Sequence, residues 1–405
     1  MSTKELYFTE KDYHERLAEI KKNFEEDLKN ETLKLAKSLI EECLEEELEK
    51  VIRAKYYEQT EGRVDYRNGS YTRGLETEIG YIPGINVPRA REIEYDKSAF
   101  EKYARRQKEV NELLLKIFLK GVSTREVGKV VEPLLGINYS AGTISNISKR
   151  LDAEVRIFHT RAIKDEYIYI ILDGIVVKIK NSIKTEKMVV LAAYGITEEG
   201  LRELIGFKIA NRENEGNWSI FLSDLYNRGL EGSKTRLIIT DGNKGLISAI
   251  ETIYPGIKRQ RCWVHKLRNV ADKLPKKLHT TCLKEAKGIY QAKNKKEAIK
   301  RYKEWKEKWG KQKQAEKAVK CIEIDIEELL IFYEFPKEHW KKIRTTNAIE
   351  RNFREVRRRI RTMNVFTNEK SCNRIIYAIF CSLNEKWKNH PLKEFKNKKN
   401  FTQNY

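Results

Sequence analysis

The chain lacks the features that mark secreted and membrane proteins. Its 405 residues include only six cysteines, which are spaced too widely for a disulfide framework. No apolar run approaches the roughly 18–20 residues that cross a bilayer, and the longest, at 375–383, is far shorter. The first residues contain no charged patch followed by an apolar stretch, so we expect no secretory signal. A cytoplasmic protein without membrane contact fits this composition best.

Several kinds of catalytic site are also missing from the sequence. There is no glycine-rich phosphate loop and no serine-containing elbow, and the histidines are scattered along the chain. We therefore expect neither use of a nucleotide cofactor nor serine-hydrolase chemistry.

Positive charge, in contrast, is abundant and unevenly distributed. The formal net charge is +21, yet residues 1–60 carry 11 Lys/Arg against 16 Asp/Glu. Residues 341–400 carry 17 Lys/Arg against 5 Asp/Glu. Such a concentrated basic excess is typical of a surface that binds nucleic acid. A solvated lysine-rich face is the alternative, and it suits the lysines within 396–399.

The N-terminal region predicts a long helix and a small β unit. Residues 10–57 carry leucines and isoleucines three or four positions apart and no Gly or Pro, which predicts helix. Residues 61–98 alternate Tyr, Ile and Val between turn residues, and Tyr-Arg-Asn-Gly at 66–69 predicts a turn. Arg67 and Arg73 of this unit are candidates to lie along DNA phosphates.

Residues 101–157 predict a helix-turn-helix unit that binds DNA. Ser123-Thr-Arg-Glu126 forms a capping box, and Ser140 precedes a further helix. The apolar side of that helix carries Ile144, Ile147 and Leu151, and its polar side carries Thr143, Asn146 and Lys149. Polar side chains of these types reach base edges and phosphates. An ordinary three-helix bundle is the alternative.

The remainder predicts a mixed sheet followed by helices. The expected strands are 167–179, 187–196, 202–210, 236–240 and 257–263, with helices before and after the fourth. The order βββαβαβ is that of an RNase H-type α/β core, and helix-only sequence at 266–334 precedes the last helices at 347–390. The expected divisions are 1–60, 61–100, 101–160, 161–265, 266–340 (a helical insertion) and 341–405.

Three acidic residues stand at or near the ends of these predicted elements. Asp173 follows Ile-Tyr-Ile-Ile-Leu, Asp241 follows Leu-Ile-Ile-Thr, and Glu350 begins an arginine-rich helix. Each has an ordinary alternative: Asp173-Gly suits a hairpin turn, Asp241 can cap the next helix, and Glu350 can complete a capping box. The polar stretch 180–187 is a better hairpin connection, which leaves Asp173 inside or ending a central strand.

Carboxylates in this order suit chemistry on a phosphodiester. Two Mg²⁺ ions about 3.5–4 Å apart activate the attacking oxygen and stabilise the leaving one. These ions prefer oxygen ligands and retain several waters, so three carboxylates are sufficient.

The helix around Glu350 adds a means of holding DNA. Its apolar stripe consists of Ile349, Phe353, Val356 and Ile360, and the adjacent face carries Glu350, Arg354, Arg357 and Arg361. Guanidinium groups one and two turns from a metal ligand are well placed to bind phosphates beside the cut bond. Stacked arginines repel one another, and an anionic partner offsets that repulsion.

Four motifs together resemble the mutator-type DDE transposases of bacterial insertion sequences. They are Leu-Asp-Gly at 172–174, Thr-Asp-Gly at 240–242, Arg-Cys-Trp-Val-His-Lys at 261–266 and Thr-Thr-Asn-Ala-Ile-Glu-Arg-Asn-Phe-Arg-Glu-Val-Arg-Arg-Arg at 345–359. Tyr-Arg-Asn-Gly at 66–69 belongs to the same resemblance, which covers nearly the whole chain. It implies an RNase H-like mixed-sheet catalytic core with an all-helical insertion, plus N-terminal helical and small β elements that bind DNA.

The resemblance also implies the reaction. Asp173, Asp241 and Glu350 would be the catalytic and metal-binding triad for two Mg²⁺ ions, with Mn²⁺ as a substitute. The predicted DNA-binding residues near them are Arg354, Arg357, Arg358, Arg361 and Lys266. The protein would cut double-stranded DNA at element ends and transfer the 3′-OH ends into target DNA, as a homodimer or larger assembly. The alternatives are an RNase H-fold nuclease or resolvase that joins nothing, and a non-catalytic repressor derived from a transposase.

Cys262 and His265 lie in one of these motifs and are expected near the active site. With His279 and Cys282 they imitate the spacing of a four-ligand zinc site. Ordinary packing of Cys and His near the active site is the interpretation that we favour.

Overall fold

A computed structural model describes residues 10–97, 100, 105–181 and 184–395, with the side chains of 10–13, 360, 362 and 363 left out. The chain divides into two units, Met1–Ser148 and Lys149–Tyr405. The first contains α1 (Glu10–Ile52), β1 (Arg67–Thr77), β2 (Gly80–Ala90), α2 (Lys108–Leu119), α3 (Thr124–Leu135) and α4 (Ala141–Lys149). No helix among the described residues is long and apolar enough to cross a bilayer.

The core of the first unit forms between α1 and the β1–β2 hairpin. Leu44 of α1 is fully buried against Leu75 of β1 and against Ile82 and Ile85 of β2. The predicted helix is confirmed, although it ends at Ile52 rather than at residue 57.

The Asn-Gly pair at 68–69 is not the hairpin turn that its residue types predict. It lies inside β1, where the register shifts between Arg67 and Ser70 and Gly69 has φ of 64°. Gly69 therefore forms a bulge, since a positive φ suits glycine. The chain reverses instead between Thr77 and Gly80.

Three short helices follow in the first unit, as predicted. The Ser123 hydroxyl accepts a hydrogen bond from Glu126 N at 3.2 Å, which confirms the cap of α3. Ser140 Oγ likewise accepts from Thr143 N at 3.1 Å ahead of α4. The last predicted helix is shorter than expected, because α4 ends at Lys149 and Leu151 begins the next helix.

The second unit contains a five-stranded mixed sheet and many helices. Its elements are α5 (Leu151–Thr160), β3 (Tyr167–Lys180), β4 (Thr185–Thr197), β5 (Arg202–Ala210), α6 (Glu215–Asn227), β6 (Leu237–Thr240), α7 (Lys244–Ile253), β7 (Lys258–Arg261), α8 (Trp263–Ala271), α9 (Lys276–Tyr290), α10 (Lys295–Gly310), α11 (Glu316–Glu323), α12 (Ile326–Leu329), α13 (Trp340–Ile343), α14 (Asn347–Met363) and α15 (Glu369–Trp387). Short 3₁₀ turns lie at Ile331–Glu334, Lys337–His339 and Lys393–Phe395.

The strand order is β5-β4-β3-β6-β7, with β3 at the centre. β4 is antiparallel to β3 and β5, whereas β6 is parallel to β3 and to β7. One face of the sheet packs Ile170 and Leu172 against Trp218 of α6 and Ile250 of α7. Helices α14 and α15 also contact β3. Successive side chains of a strand point to opposite faces, and Tyr169, on the face opposite Ile170, packs against His339 and Phe395.

The five predicted strands are confirmed, but the last is shorter than predicted. β7 ends at Arg261 because Cys262 is the N-cap of α8, which places Trp263 in a helix. The region from α8 to α13 is helical among its described residues. Trp305 is buried there and donates its indole N–H to the Cys282 carbonyl at 3.2 Å, so it serves the core.

Candidate active site

Asp173 lies within the central strand rather than at its end. It pairs with Ala192 of β4, and β3 continues to Lys180, so the Asp-Gly pair is not a hairpin turn. Asp173 is only 6% exposed, and its Oδ1 accepts a hydrogen bond from Gly174 N at 2.9 Å. A buried carboxylate with so little compensation is costly unless another group balances its charge.

Asp241 follows the parallel neighbour of that strand. The register pairs Ile171 with Ile239, so Asp173 and Asp241 each stand two residues beyond the last paired position. Neighbouring strands lie about 4.8 Å apart, which brings the two acids to the same part of the sheet. The alternative role of helix cap belongs to Asn243, whose side chain accepts from Gly245 N and Leu246 N.

Glu350 stands in the first turn of α14. Its Oε1 lies 3.3 Å from Nε2 of His265 and accepts from Nη1 of Arg268 at 2.9 Å. The carboxylate therefore contacts side chains of α8, and these contacts replace the capping role considered from the sequence.

Asp173 and Glu350 lie close together in the structure, although 177 positions separate them in the sequence. One ligand atom each of Asp173, His265 and Glu350 lies within 4.8 Å of the others, and this is the one such group among the described residues. Asp241 is outside the group, but its negative charge raises the pKa of Asp173.

The two clustered carboxyl groups differ in their electrostatics. Burial raises the pKa of Asp173 to about 7, with Asp241 and Glu350 adding to the rise and His265 opposing it. The hydrogen bond from His265 lowers the pKa of Glu350 to about 2, with Arg268 contributing. Burial also lowers the pKa of His265, but its polar contacts with Cys262 and Glu350 outweigh burial and raise it to about 10.

Cys262 and His265 lie near the triad as expected, and Thr346 links them. Cys262 Sγ accepts hydrogen bonds from Thr346 N at 3.2 Å and from its hydroxyl at 3.4 Å. The same hydroxyl lies 3.4 Å from His265 Nδ1. The network connects the N-cap of α8 to the residue just before α14, and so it fixes His265 beside Glu350.

The zinc alternative is not supported by the described residues. Cys262, His265, His279 and Cys282 do not form a ligand group there. His279 Nε2 lies 2.9 Å from the Leu274 carbonyl, and burial raises the pKa of Cys282 to about 11. A buried thiol of that kind resists becoming the thiolate that zinc requires.

A basic groove opens beside Glu350. Its volume is about 550 Å³, and it is lined by Arg268, Asn347, Glu350, Arg351, Arg354 and Arg357. The apolar stripe of α14 explains this presentation, since Ile349, Phe353 and Val356 are fully buried and turn the arginine face outward. The side chain of Ile360 lies outside the described residues.

Two other predicted arginines of α14 are exposed outside the groove lining. Arg358 donates to Glu355 at 2.8 Å, an exposed i,i+3 pair, and Arg361 is exposed near the end of the helix. The lysines within 396–399 lie outside the described residues.

The prediction that Lys266 binds DNA is wrong, because its side chain is buried and bonded within the protein. It is 2% exposed and donates to the Cys321 carbonyl at 2.8 Å. It also pairs with Asp325, whose other oxygen accepts from Arg261 at 2.8 Å. Lys266 therefore ties α8 to the turn before α12 and has no free ammonium to offer DNA. The sequence motif gave no sign of its burial.

The predicted DNA contacts of the first unit have unequal exposure. Arg67 pairs with Glu49 at 3.2 Å and Glu45 at 3.5 Å, which turns it toward α1 and away from a phosphate role. Arg73 is half-buried over the Phe100 ring, 4.1 Å from the centroid. Thr143 is half-buried beside Ser140, whereas Asn146 and Lys149 are exposed on α4.

The donor set suits a hard divalent cation. Asp173, Asp241 and Glu350 supply carboxylate oxygens, the ligands that Mg²⁺ and Mn²⁺ prefer. Burial is the main cause of the raised pKa of Asp173, and the charges of Asp241 and Glu350 add to it. A bound cation offsets both the burial of the carboxylate and the repulsion between the acids. The residues present therefore fit the cations that the triad implies.

Sequence reasoning missed three contributors to this site. Arg268 and Arg351 line the groove, and Glu213 lies close enough for the charge of Asp241 to raise its pKa. A signal for Arg268 existed, because it stands one helical turn after His265 on α8.

Comparisons with known proteins agree on one family. A family model described as "Transposase, Mutator family" matches residues 8–390. The chain is 34% identical over 351 residues to the transposase for insertion sequence element ISRM5 of Rhizobium meliloti (strain 1021), covering 87% of each chain. It is 33% identical over 351 residues to the transposase for IS256 in transposon Tn4001 of Staphylococcus aureus, covering 86% of this chain and 89% of that one. Among solved structures, the match to the Mos1 strand transfer complex covers 62% of this chain and 80% of that chain at 13% identity, with a TM-score of 0.19.

Proposed function

The chain belongs to the mutator family of transposases, and we propose that it cuts DNA at the ends of an insertion element and joins the freed ends to target DNA. The observation that carries the proposal is the meeting of Asp173 and Glu350 within 4.8 Å beside a basic groove. Neither residue serves the turn or cap that its local sequence allows, and the Glu350 carboxylate is instead held at the groove by His265 and Arg268.

We infer that the core is RNase H-like. The order β5-β4-β3-β6-β7, with three antiparallel strands leading into two parallel ones, supports this inference. This topology accounts for the positions of the three acids. The centre of β3 lies beside the carboxyl end of β6, and α14 contacts β3.

The proposed reaction consists of two exchanges at phosphorus. In the first, a water oxygen attacks a phosphodiester at the element end, the P–O3′ bond breaks, and a 3′-OH and a 5′-phosphate result. In the second, that 3′-OH attacks a target phosphodiester, so one bond forms as another breaks. The number of phosphodiester bonds is conserved in the second exchange, which agrees with the expectation of no nucleotide cofactor.

Asp173, Asp241 and Glu350 would hold divalent cations, Mg²⁺ or Mn²⁺. Bound there, two such ions supply activation of the attacking oxygen and charge stabilisation for the leaving one. His265 and Arg268 hold the Glu350 carboxylate in one orientation from α8. Burial of Asp173 in the sheet limits the access of bulk water to its carboxylate.

The groove arginines would position the DNA. Arg354 and Arg357 lie one and two turns from Glu350 on the same helix, and both line the groove. A guanidinium binds two phosphate oxygens at once, which fixes the backbone next to the cut bond. We propose double-stranded DNA as the partner, with the element's terminal inverted repeats bound by the first unit.

Asp173→Asn tests the catalytic assignment. With a duplex that carries the terminal inverted repeat and Mg²⁺ present, we expect cleavage to fall by at least about 10³-fold, since several kcal/mol of charge stabilisation are lost. DNA affinity, measured by fluorescence anisotropy, should stay within about twofold. Glu198→Gln is the matched control, because Glu198 is an exposed carboxylate in the same unit. This variant should cleave DNA at the wild-type rate.

Product analysis separates the transposase from its alternatives. Joined donor–target strands are the expected product on a supercoiled target. Cleavage without joining would favour a nuclease or resolvase, and unchanged activity in Asp173→Asn would remove the catalytic assignment altogether.

A further inference from the structure

Glu213 is a carboxylate that no motif singles out, and it lies on a firmly held segment. Residues 211–214 connect β5 to α6. The Asn214 side chain accepts from Asn217 N at 3.1 Å, and Asn217 Nδ2 donates to Asn211 Oδ1 at 2.9 Å. These bonds fix the backbone on either side of Glu213, so its carboxylate is carried by an ordered turn.

That segment packs against the helix that follows Asp241. A Cβ at Gly245, in the first turn of α7, would come within 2.5 Å of Glu215 N and 2.9 Å of Asn214 C. Only a residue without a side chain permits this approach. The turn that carries Glu213 therefore packs against the start of α7. Gly245, at this contact, is four residues after Asp241 in the sequence.

Glu213 also reaches the strand that carries Asp173. A Cβ at Gly174 would lie 3.2 Å from Oε2 of Glu213 and 3.1 Å from Val189 Cγ1. A side chain at position 174 would push the carboxylate away. Position 174 points to the opposite face of β3 from the Asp173 side chain, so Glu213 approaches the strand from the side of α6 and α7, the helix that follows Asp241.

One oxygen of the Glu213 carboxylate is unpartnered. Oε1 is buried and has no hydrogen-bond partner among the described residues. Burial raises the pKa of Glu213, and the charge of Asp241 raises it further, while Trp218 and His265 lower it. The Trp218 indole lies beside the carboxylate, but its N–H does not complete a hydrogen bond of normal geometry. An acid held beside another acid with an unmet oxygen calls for a positive partner.

We propose that Glu213 is a fourth carboxylate of this site and binds a divalent cation together with Asp241. The inference rests on the proposed function, because it takes the acidic centre to be a cation site. Carboxylate oxygens are the ligands that Mg²⁺ and Mn²⁺ prefer, and Oε1 of Glu213 is free to be one. Glu213 would add negative charge beside Asp241, whereas His265 and Arg268 already neutralise Glu350.

The test is calorimetric titration of the full, DNA-free chain with Mn²⁺. We expect Glu213→Gln to raise the Kd for Mn²⁺ by at least about tenfold, as loss of a supporting ligand does at other metal sites. Glu215→Gln is the matched control, since Glu215 is exposed two residues away in the first turn of α6, and its Kd should equal that of the wild type. Glu213→Asp keeps the charge and should regain part of the affinity.

Thermal unfolding gives a second measurement that does not depend on activity. Without added metal, Glu213→Gln should melt at or above the wild-type Tm, because the substitution removes a buried uncompensated charge. The rise in Tm on adding Mn²⁺ should be smaller than in the wild type, because ligand-linked stability falls as the Kd rises.

Two results overturn the inference in distinguishable ways. If Glu213→Gln binds Mn²⁺ like the wild type while Asp241→Asn binds it weakly, Glu213 is not a ligand and the triad stands. If the wild-type chain itself shows no Mn²⁺ binding that Asp173→Asn removes, the cation site of the proposed function fails and the inference fails with it. A folded Glu213→Gln with a Tm well below the wild type would instead assign Glu213 a structural role.

Discussion

At the scale of single residues, environment decides what each ionisable group does. Asp173 and Glu350 are both carboxylates of one site, yet burial raises the pKa of the first to about 7 and His265 lowers that of the second to about 2. Lys266 has the residue type of a phosphate contact, but its burial makes it a structural ion-pair partner of Asp325. Residue type therefore predicts candidate roles, and the contacts select among them.

His339 provides a pH prediction for the same unit away from the acids. It is 3% exposed, shares a 2.9 Å hydrogen bond with the Tyr169 hydroxyl and stacks on Phe395. Burial lowers its pKa from 6.5 to about 4, against the opposing charges of Glu338 and Glu394. Below pH 6.5 the unfolded chain gains a proton that the folded chain refuses, so stability present above 6.5 is lost as pH falls toward 4.

The loss should reach about 3 kcal/mol by pH 4. His339→Gln removes the titrating group, so its free energy of unfolding should depend less on pH between 6.5 and 4 than that of the wild type. Urea unfolding of both proteins at matched pH values measures the difference, in which contributions from the other groups cancel. Parallel pH profiles of wild type and variant would show that His339 titrates normally in the fold.

At the scale of elements, local patterns predicted most helices and strands but not their tertiary tasks. The five strands of the sheet and the caps at Ser123 and Ser140 follow from sequence, since alternation and capping are local rules. The Asn-Gly bulge in β1 escaped prediction, because the same residue types suit a turn and a bulge. The meeting of α8 with α14 also escaped, because it depends on packing between segments distant in sequence.

Helix α14 carries one arginine inside the groove and one outside it, which allows a direct test of phosphate binding. Arg354 lines the groove next to Glu350, whereas Arg358 lies outside its lining and pairs with Glu355. Arg354→Ala should weaken DNA binding and reduce the slope of log Kd against log salt by about 0.9, the amount expected for one phosphate contact. Fluorescence anisotropy with an element-end duplex across a salt series gives that slope.

Arg358→Ala is the matched control on the same helix. It removes an equal charge one turn further on, and its slope should stay near the wild-type value. Equal changes in both variants would mean that net charge, rather than the groove, determines binding. An unchanged slope in Arg354→Ala would end the phosphate role of that arginine.

At the scale of the whole molecule, the site exists only because the fold gathers distant residues. Asp173 and Asp241 could be placed in the same sheet from the sequence, because each directly follows an apolar strand segment. The register then puts each of them two residues beyond the last β3–β6 pair, although β3 itself continues to Lys180. Glu350 meets Asp173 although the helices from α8 to α13 separate β7 from α14 in the chain. Glu213 and its turn pack closely against positions 174 and 245 because both are glycines, and no local sequence pattern predicts these contacts.

The number of acidic centres per chain leads to a prediction about assembly. The described residues hold one group in which Asp173, His265 and Glu350 meet, so under the proposed function each chain offers one place for strand cleavage. Transposition as proposed must process two element ends and bring them together, so at least two chains are required. We expect the chain of 47.8 kDa to form, with an end duplex and Mg²⁺-free buffer, a complex that contains twice that protein mass and two duplexes. Light scattering coupled to gel filtration measures both protein and DNA mass. A complex of one chain with one duplex in the same buffer would contradict the prediction.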